Sequence, residues 1–158
     1  MLEIHERLAR TDAQDTGPAE MTLTLTFDAR QRSRQRVVLD DGGERALLLP
    51  RGTTLRDGDR LRDAEGTIVR VCAAPETVSV AHTADRHRLV RAAYHLGNRH
   101  VPLQIDADSL RYRHDHVLDA MVEGLSLSVS CEQAPFEPEP GAYAHEGHGH
   151  AHHGGHDG

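Results

Sequence analysis

The stretch that decides the fold is residues 92–121, which read AAYHLGNRHVPLQIDADSLRYRHDHVLDAM. It opens inside an apolar pattern at helical spacing, which predicts a helix over residues 84–96 that ends at the Gly97-Asn98 pair. Asp115, near the other end of the stretch, is a typical N-cap for a second helix. The residues between the two helices read as two short extended runs, so the stretch predicts a helix-strand-strand-helix unit.

Strand-like patterns on both sides of this unit complete a small domain. Residues 77–81 form a β-branched run, and residues 125–131 alternate apolar side chains with serines, which is the period of a half-buried strand. The resulting order is β-α-β-β-α-β, the arrangement of a ferredoxin-like domain. We therefore predict a ferredoxin-like domain over residues 77–132.

The preceding residues, 1–76, read as a small all-β domain. Apolar residues alternate with threonines over residues 21–27, so one face of a strand is apolar and the other is hydroxylic. The sequence DDGG at residues 40–43 lies between two apolar runs and predicts a hairpin connection. The fold class is therefore α+β, with the all-β domain first and a boundary near Pro75-Glu76.

Two segments follow the ferredoxin-like domain. Residues 133–140 include three prolines and are expected to form an extended linker. Residues 141–158 form a His-rich tail in which 12 of 18 residues are His or Gly. The tail has almost nothing to bury, so we expect it to be disordered without metal.

Composition excludes several functional classes. There are 25 acidic against 18 basic residues, and the net charge of −7 argues against nucleic-acid binding, which depends on neutralising phosphates. No apolar run approaches the roughly 20 residues that span a membrane, and no secretory signal is recognisable. Cys72 and Cys131 lie far apart, which is typical of a protein in the reducing cytoplasm.

Arginines occur at every second position from residue 30 to residue 36. This spacing predicts that Arg30, Arg32, Arg34 and Arg36 line one side of an extended segment. One interpretation is a docking surface for an acidic partner protein. The other is a solvated edge strand whose charge prevents pairing with another chain.

The histidines give the clearest chemical signal. Neutral imidazole binds Ni²⁺, Cu²⁺ and Zn²⁺ well, and closely spaced rings can converge on one ion. The alternatives to a metal-binding role for the tail are a purification tag and a merely solubilising segment. A tag is normally an uninterrupted run of histidines, whereas Gly, Ala and Glu146 separate the histidines here. The candidate metal ligands are His100, His114 and His116 in the folded part and His145, His148, His150, His152, His153 and His156 in the tail.

The three candidates in the folded part differ in what they could do. One imidazole cannot hold a transition metal, but near a two-fold axis His100 would meet its own copy and could share an ion. His114 and His116 could form a chelating pair, with Asp115 between them as a cap, or could be exposed polar residues before a helix. His95 lies on the first helix and is interpreted as structural.

Two of these histidine motifs resemble motifs of a known protein family. The sequences GNRH at 97–100 and HDHVLD at 114–119 resemble those of the UreE family of urease accessory proteins. The resemblance extends to LTFDARQRSRQRVVL, RGTTLRDGD and APFEPEPGAY, and thus to nearly the whole chain. It implies a peptide-binding-like N-terminal domain, a ferredoxin-like metal-binding domain and a homodimer with nickel at its interface. It assigns the interfacial ligand to His100 and a peripheral pair to His114 and His116.

The function that the resemblance implies is that of a cytoplasmic nickel metallochaperone, without enzymatic activity. The tail would collect Ni²⁺ and pass it to the paired His100 site. The dimer would then deliver the ion to the GTPase UreG within the urease activation complex. Cu²⁺ and Zn²⁺ can compete, since the intrinsic affinity order favours copper. The alternatives are a passive nickel storage or detoxification protein and a metal-dependent hydrolase using His114, Asp115 and His116.

Overall fold

The computed structural model describes residues 1–10 and 21–141, in which a mostly-sheet N-terminal region precedes an α/β C-terminal region. The N-terminal elements are β1 Leu2–Arg7, β2 Met21–Leu25, α1 Phe27–Arg30, β3 Arg34–Val38, β4 Glu44–Leu48, β5 Arg60–Asp63 and β6 Ile68–Ala73. The C-terminal elements are β7 Pro75–His82, α2 Arg86–Asn98, β8 Gln104–Ile105, β9 Ser109–Arg113, α3 His116–Gly124 and β10 Ser128–Pro135.

The N-terminal strands form one six-stranded sheet in the order β2-β6-β5-β1-β4-β3. The predicted hairpin around residues 40–43 is confirmed, since β3 and β4 pair antiparallel across it. Alternate residues point inward, so that Ile4, Leu23, Leu47 and Val69 meet in one apolar core. The prediction that the N-terminal region consists mostly of β-strands is therefore confirmed.

A short helix interrupts the predicted run of alternating arginines. Thr26 caps α1 through its side chain, which accepts a hydrogen bond from the backbone of Ala29. Arg30 is the last residue of α1 and is fully buried, whereas Arg34 and Arg36 lie on β3 with exposed side chains. The expectation that all four arginines share one side of an extended segment is wrong, because a helical turn redirects Arg30 into the protein.

The C-terminal strands form a four-stranded sheet in the order β10-β7-β9-β8, with every neighbouring pair antiparallel. The helices α2 and α3 pack their apolar residues on this sheet. Leu89, Leu96, Leu110 and Leu118 belong to one buried cluster. No helix in the described ranges is long and apolar enough to cross a membrane.

The first C-terminal helix ends later than its sequence pattern predicts. Gly97 and Asn98 are helical residues of α2, and Arg99 is its C-cap. The residue with a left-handed backbone is His100, at φ 58°. The Gly97-Asn98 pair therefore forms the last two helical residues and is not the cap that follows the helix. The predicted N-cap of the second helix is confirmed, because the Asp115 side chain accepts hydrogen bonds from the start of α3.

Residues 133–140, expected as an extended linker, are packed in the structure. Residues 133–135 continue β10 along β7. Phe136 is fully buried and contacts Phe27 edge-to-face, with ring centroids 5.6 Å apart. Residues 133–135 have the extended backbone of a strand, but the number of prolines says nothing about burial, which depends on the apolar side chain of Phe136.

A buried arginine joins the two regions at this point. Arg30 Nη1 donates to Glu137 Oε1 at 2.7 Å and to the carbonyl of Leu55 at 3.3 Å, and Nη2 donates to the carbonyl of Phe136. Burial lowers the pKa of the Arg30 guanidinium, and the charge of Glu137 opposes that effect. Arg30 thus holds the segment that leads into the His-rich tail.

Candidate metal centre

His100 follows α2 at a position that normally belongs to glycine. The backbone N–H of His100 donates to the carbonyl of Gly97 at 3.0 Å, and that of Val101 donates to the carbonyl of Leu96 at 3.4 Å. These two bonds form a Schellman motif, in which the residue in the His100 position must be left-handed. A side chain there costs about 1 kcal/mol relative to glycine, and the imidazole of His100 is exposed.

His114 is held in a different way, by a hydrogen bond and a carboxylate contact at its ring. Its Nδ1 lies 3.1 Å from the hydroxyl oxygen of Ser79 and 3.3 Å from Asp119 Oδ2. Ser79 is fully buried, and the Asp119 side chain is mostly buried. Because these contacts engage Nδ1, Nε2 is the ring atom left for a metal ion.

Tyr112 fixes the carboxylate that contacts His114. Its hydroxyl donates to Asp119 Oδ1 at 2.7 Å. Burial, followed by the hydrogen bond to Asp119, raises the pKa of Tyr112, so the hydroxyl stays protonated and remains a donor. Ser79 and Tyr112 lie directly opposite each other on β7 and β9. The His114 ring is therefore braced from both the sheet and α3.

Asp115 and His116 start the helix α3. The Asp115 carboxylate accepts hydrogen bonds from the backbone N–H groups of Val117, at 2.8 Å, and Leu118, at 3.2 Å. The bond from Leu118 and then that from Val117 lower the pKa of Asp115. Its Oδ1 is thus committed to capping, as predicted, and His116 is the exposed first residue of the helix.

The predicted ligands of the described chain lie at the ends of two different helices. His100 follows α2, whereas His114 and His116 flank the residue that caps α3. Within residues 1–10 and 21–141, no group of three or more His, Cys, Asp or Glu side chains is arranged to hold a metal ion. The predicted ligands in the tail lie outside the described residues; they are His145, His148, His150, His152, His153 and His156.

Three residues that support His114 were missed by the sequence reasoning. Ser79 is distant from Tyr112 and Asp119 in the sequence, and only strand pairing and the turn into α3 bring the three together. Asp119 does lie inside the HDHVLD motif, one helical turn after the cap. The position of Asp119 on the first turn of α3 was the feature of the sequence that indicated a contact between its carboxylate and His114.

Exposed apolar side chains lie on the helix that leads to His100. Val90 and Tyr94 are 60% and 64% exposed and are separated by one helical turn of α2. The Tyr94 ring also packs edge-to-face on His95, with centroids 5.3 Å apart. His95 is half-buried, and the structure shows it contacting an aromatic neighbour.

Comparison with known proteins identifies relatives of the whole chain. A family model described as the N-terminal domain of the UreE urease accessory protein matches residues 2–74, and one for its C-terminal domain matches residues 76–158. Both descriptions name an accessory protein rather than a catalyst.

Similar curated proteins carry the same name. The urease accessory protein UreE of Pseudomonas putida (strain GB-1) is 61% identical over 130 residues, which are 82% of this chain and 79% of the relative. The urease accessory protein UreE of Alkalilimnicola ehrlichii is 57% identical over 143 residues, which are 90% of this chain and 85% of the relative. That of Citrobacter koseri is 60% identical over 134 residues, which are 84% of this chain and 88% of the relative. The chain therefore belongs to the UreE family of urease accessory proteins, with a role in urease maturation.

Proposed function

We propose that the chain is a nickel metallochaperone that binds Ni²⁺ through histidines at a homodimer interface and in its tail, and delivers it to apo-urease. The observation that carries the proposal is the placement of His100. An exposed imidazole stands at a helix end where glycine would be more stable. A residue that holds an unfavourable backbone conformation at the surface is explained by a function that needs its side chain.

A homodimer would complete the His100 site. Val90 and Tyr94 expose apolar surface on the helix that ends beside His100, and a second copy packed on this surface would cover it. If the two-fold axis passed near the end of α2, the two copies of His100 would face each other. Each ring would then supply one ligand to a shared nickel ion.

His114 and His116 would provide a second, peripheral site. The contact of Asp119 with His114 Nδ1 resembles the carboxylate–histidine–metal arrangement, in which a carboxylate orients the imidazole and raises its basicity. The tail histidines would collect further ions, at an entropic cost that keeps their binding loose. Cu²⁺ and Zn²⁺ would compete with Ni²⁺ at such imidazole sites.

The fold supports a finer assignment for the C-terminal region. There, a helix follows the first and the third strand, and the strand order is β10-β7-β9-β8. This order supports a ferredoxin-like domain over residues 77–132. We propose that this domain binds metal and that it follows a peptide-binding-like domain over residues 1–76. We further propose that the protein acts in the cytoplasm and that its delivery partner is UreG in the urease activation complex.

Reconstituted urease maturation tests the proposal. Apo-urease, UreG and the remaining accessory proteins are mixed with limiting Ni²⁺ and either this chain, its His100→Ala variant or the chain truncated after Gly141. We expect the full chain to raise urease activity, His100→Ala to fail, and the truncated chain to work with fewer ions carried per dimer. If the full chain sequesters Ni²⁺ and lowers urease activity, the delivery function is wrong and passive storage is favoured.

A further inference from the structure

Residues 136–139 form a strap between the two regions of the chain. Phe136 and Pro138 of the strap are buried. Two arginines of the N-terminal region bond to the carbonyls of these residues. Arg30 Nη2 donates to the carbonyl of Phe136. Arg56 Nη1 donates to the carbonyl of Pro138 at 2.8 Å. The N-terminal region therefore holds the strap at two of its peptide groups.

The same two peptide groups also bond to the C-terminal region. The N–H of Glu137 donates to Gln104 Oε1 at 2.9 Å, and the N–H of Glu139 donates to the carbonyl of Leu103 at 2.8 Å. The carbonyl and the N–H of one trans peptide point in opposite directions, so each group bridges the two regions. A cationic donor at the carbonyl polarises the peptide and strengthens the bond that its N–H makes. The two arginines therefore reinforce the contacts of the strap with Leu103 and Gln104.

These contacts place the strap beside the turn that carries His100. Leu103 follows His100 by three residues, so their Cα atoms are at most about 11 Å apart. Glu139 lies next to Leu103, and the tail begins two residues later, at Gly141. The first tail histidine, His145, follows Glu139 by six residues, which can span at most about 21 Å. The start of the tail is therefore fixed within reach of the His100 turn.

We propose that Arg30 and Arg56 are positioning residues for the transfer of Ni²⁺ from the tail to His100. Through the strap, they fix the point at which the tail leaves the protein, and this raises the effective concentration of the tail histidines at the His100 turn. Neither arginine is a metal ligand in this scheme. The inference rests on the proposed nickel-binding function and gives the N-terminal region a part in it.

The expected size of the effect follows from the length of chain that is free to move. With the strap bound, six residues lead from Glu139 to His145. With the strap released, the free chain would begin after β10, and ten residues would lead from Pro135 to His145. Effective concentration falls at least as steeply as about the −3/2 power of this length, so release should lower the contribution of the tail about two- to fivefold.

Two variants release the strap from opposite sides. Arg56→Met removes the donor to Pro138, and Gln104→Leu removes the acceptor of the Glu137 N–H. Neither change touches a proposed metal ligand. Arg30 is fully buried and its substitution would disturb the core, so Arg56 carries the test for the arginines.

Each variant is made in the full chain and in the chain truncated after Gly141. The apparent nickel affinity of the tightest site is measured by competition with a chelator. In the full chain, Arg56→Met and Gln104→Leu should each weaken this site about two- to fivefold. In the truncated chain, neither variant should change it, because no tail is left to position. Arg51→Met replaces an exposed turn arginine and should match the unmodified chain at both lengths.

Hydrogen exchange measures the strap directly and reports whether the variant is folded. The amides of Glu137 and Glu139 should exchange slowly in the unmodified full chain, since both donate to the C-terminal region. Arg56→Met should accelerate exchange at Glu139 by about tenfold or more. The amides of the core strand β6 should stay as protected as before.

Three results would overturn the proposal. One is an unchanged nickel affinity of both variants in the full chain. Another is equal weakening in the full and truncated chains, because the strap would then act on the His100 turn and not on the tail. The third is fast exchange of Glu137 and Glu139 in the unmodified protein. Failure of the proposed function is recognised separately, since it would leave the tightest nickel site unchanged in His100→Ala.

Discussion

His100 and His114 are both proposed metal ligands, but the fold holds them by different means. The backbone places His100, through a left-handed turn at the end of α2. Side-chain contacts place His114, namely a hydrogen bond with Ser79 and the nearby carboxylate of Asp119. Among residues 1–10 and 21–141, neither ring nitrogen of His100 has a hydrogen-bond partner, and the ring is exposed. In His114, Nδ1 contacts the protein and Nε2 is thereby oriented.

The difference indicates which site depends on assembly. The His100 ring, which only its backbone places, gains its final orientation when a second copy and an ion bind. The affinity of the His100 site for nickel should therefore be coupled to dimer formation. A ring braced by buried neighbours is already oriented in the single chain. We therefore expect substitutions to affect the two sites through different residues and with different magnitudes.

The largest effect should follow from removing the interfacial ligand. His100→Ala should weaken the tightest nickel site of the dimer by more than about 100-fold, since loss of a ligand exceeds the usual effect of losing its supporting residue. Calorimetric titration with Ni²⁺ measures this affinity. His95→Ala, on the helix that precedes His100, is the matched control and should leave the site intact. An unchanged tight site in His100→Ala would remove the basis for a shared ion.

The next effect should come from the brace of His114. In a His100→Ala background, Asp119→Asn should weaken Cu²⁺ binding at the peripheral site about tenfold, because the imidazole loses its orienting carboxylate. Electron paramagnetic resonance of the bound copper reports both occupancy and ligand set. Glu123→Gln makes the same change of charge one turn later on α3 and should have little effect. If both variants weaken binding equally, overall charge rather than the brace is responsible.

A smaller effect should appear in the stability of the metal-free protein. His100→Gly should be more stable than His100→Ala by about 1 kcal/mol, because only glycine adopts the left-handed backbone without steric cost. Urea unfolding measures the difference. Ser126, at φ 70° after α3, offers a control without a proposed metal role, and Ser126→Gly should also stabilise the protein. Equal stability of the two His100 variants would show that the turn carries no strain.

The smallest effect should be a dependence of stability on pH at the cap of α3. The pKa of Asp115 is lower in the folded protein than its ordinary value. The ionised carboxylate therefore stabilises the folded state above the ordinary pKa of a carboxyl group, and this stabilisation is lost as the pH falls through the lowered pKa. Asp115→Ser keeps a capping oxygen but does not titrate. The difference in urea midpoint between the two proteins should therefore change between about pH 5 and pH 2, while nickel binding at pH 7 stays the same. Weaker nickel binding in Asp115→Ser would instead make the carboxylate a ligand.

Much of the secondary structure could be predicted from local patterns. The Asp115 cap and the hairpin at residues 40–43 follow from residue types that favour one local conformation. Gly97 misled the prediction, because a glycine near a helix end usually marks the left-handed position, and here His100 occupies it. A local rule assigns the most stable residue to such a position and fails where another residue is kept for a different reason.

The contacts around the candidate site could not be predicted in this way. The brace of His114 needs β7 to pair with β9, and the packing of Phe136 needs the two regions to meet. Both are contacts between residues far apart in the sequence. The motif GNRH indicated His100 through its resemblance to a family, and the sequence alone gave no sign that its backbone is left-handed.

The buried guanidinium of Arg30 has a consequence for how the protein unfolds. It bonds to carbonyls of both regions and to Glu137, while Phe27 packs against Phe136. Separating the regions would remove the Glu137 and Phe136 acceptors of Arg30, leaving only the carbonyls of Leu25 and Leu55, and would expose two aromatic rings to water. The chain should therefore melt in one cooperative calorimetric transition, and a fragment ending near residue 74 should be far less heat-resistant than the same residues in the intact protein.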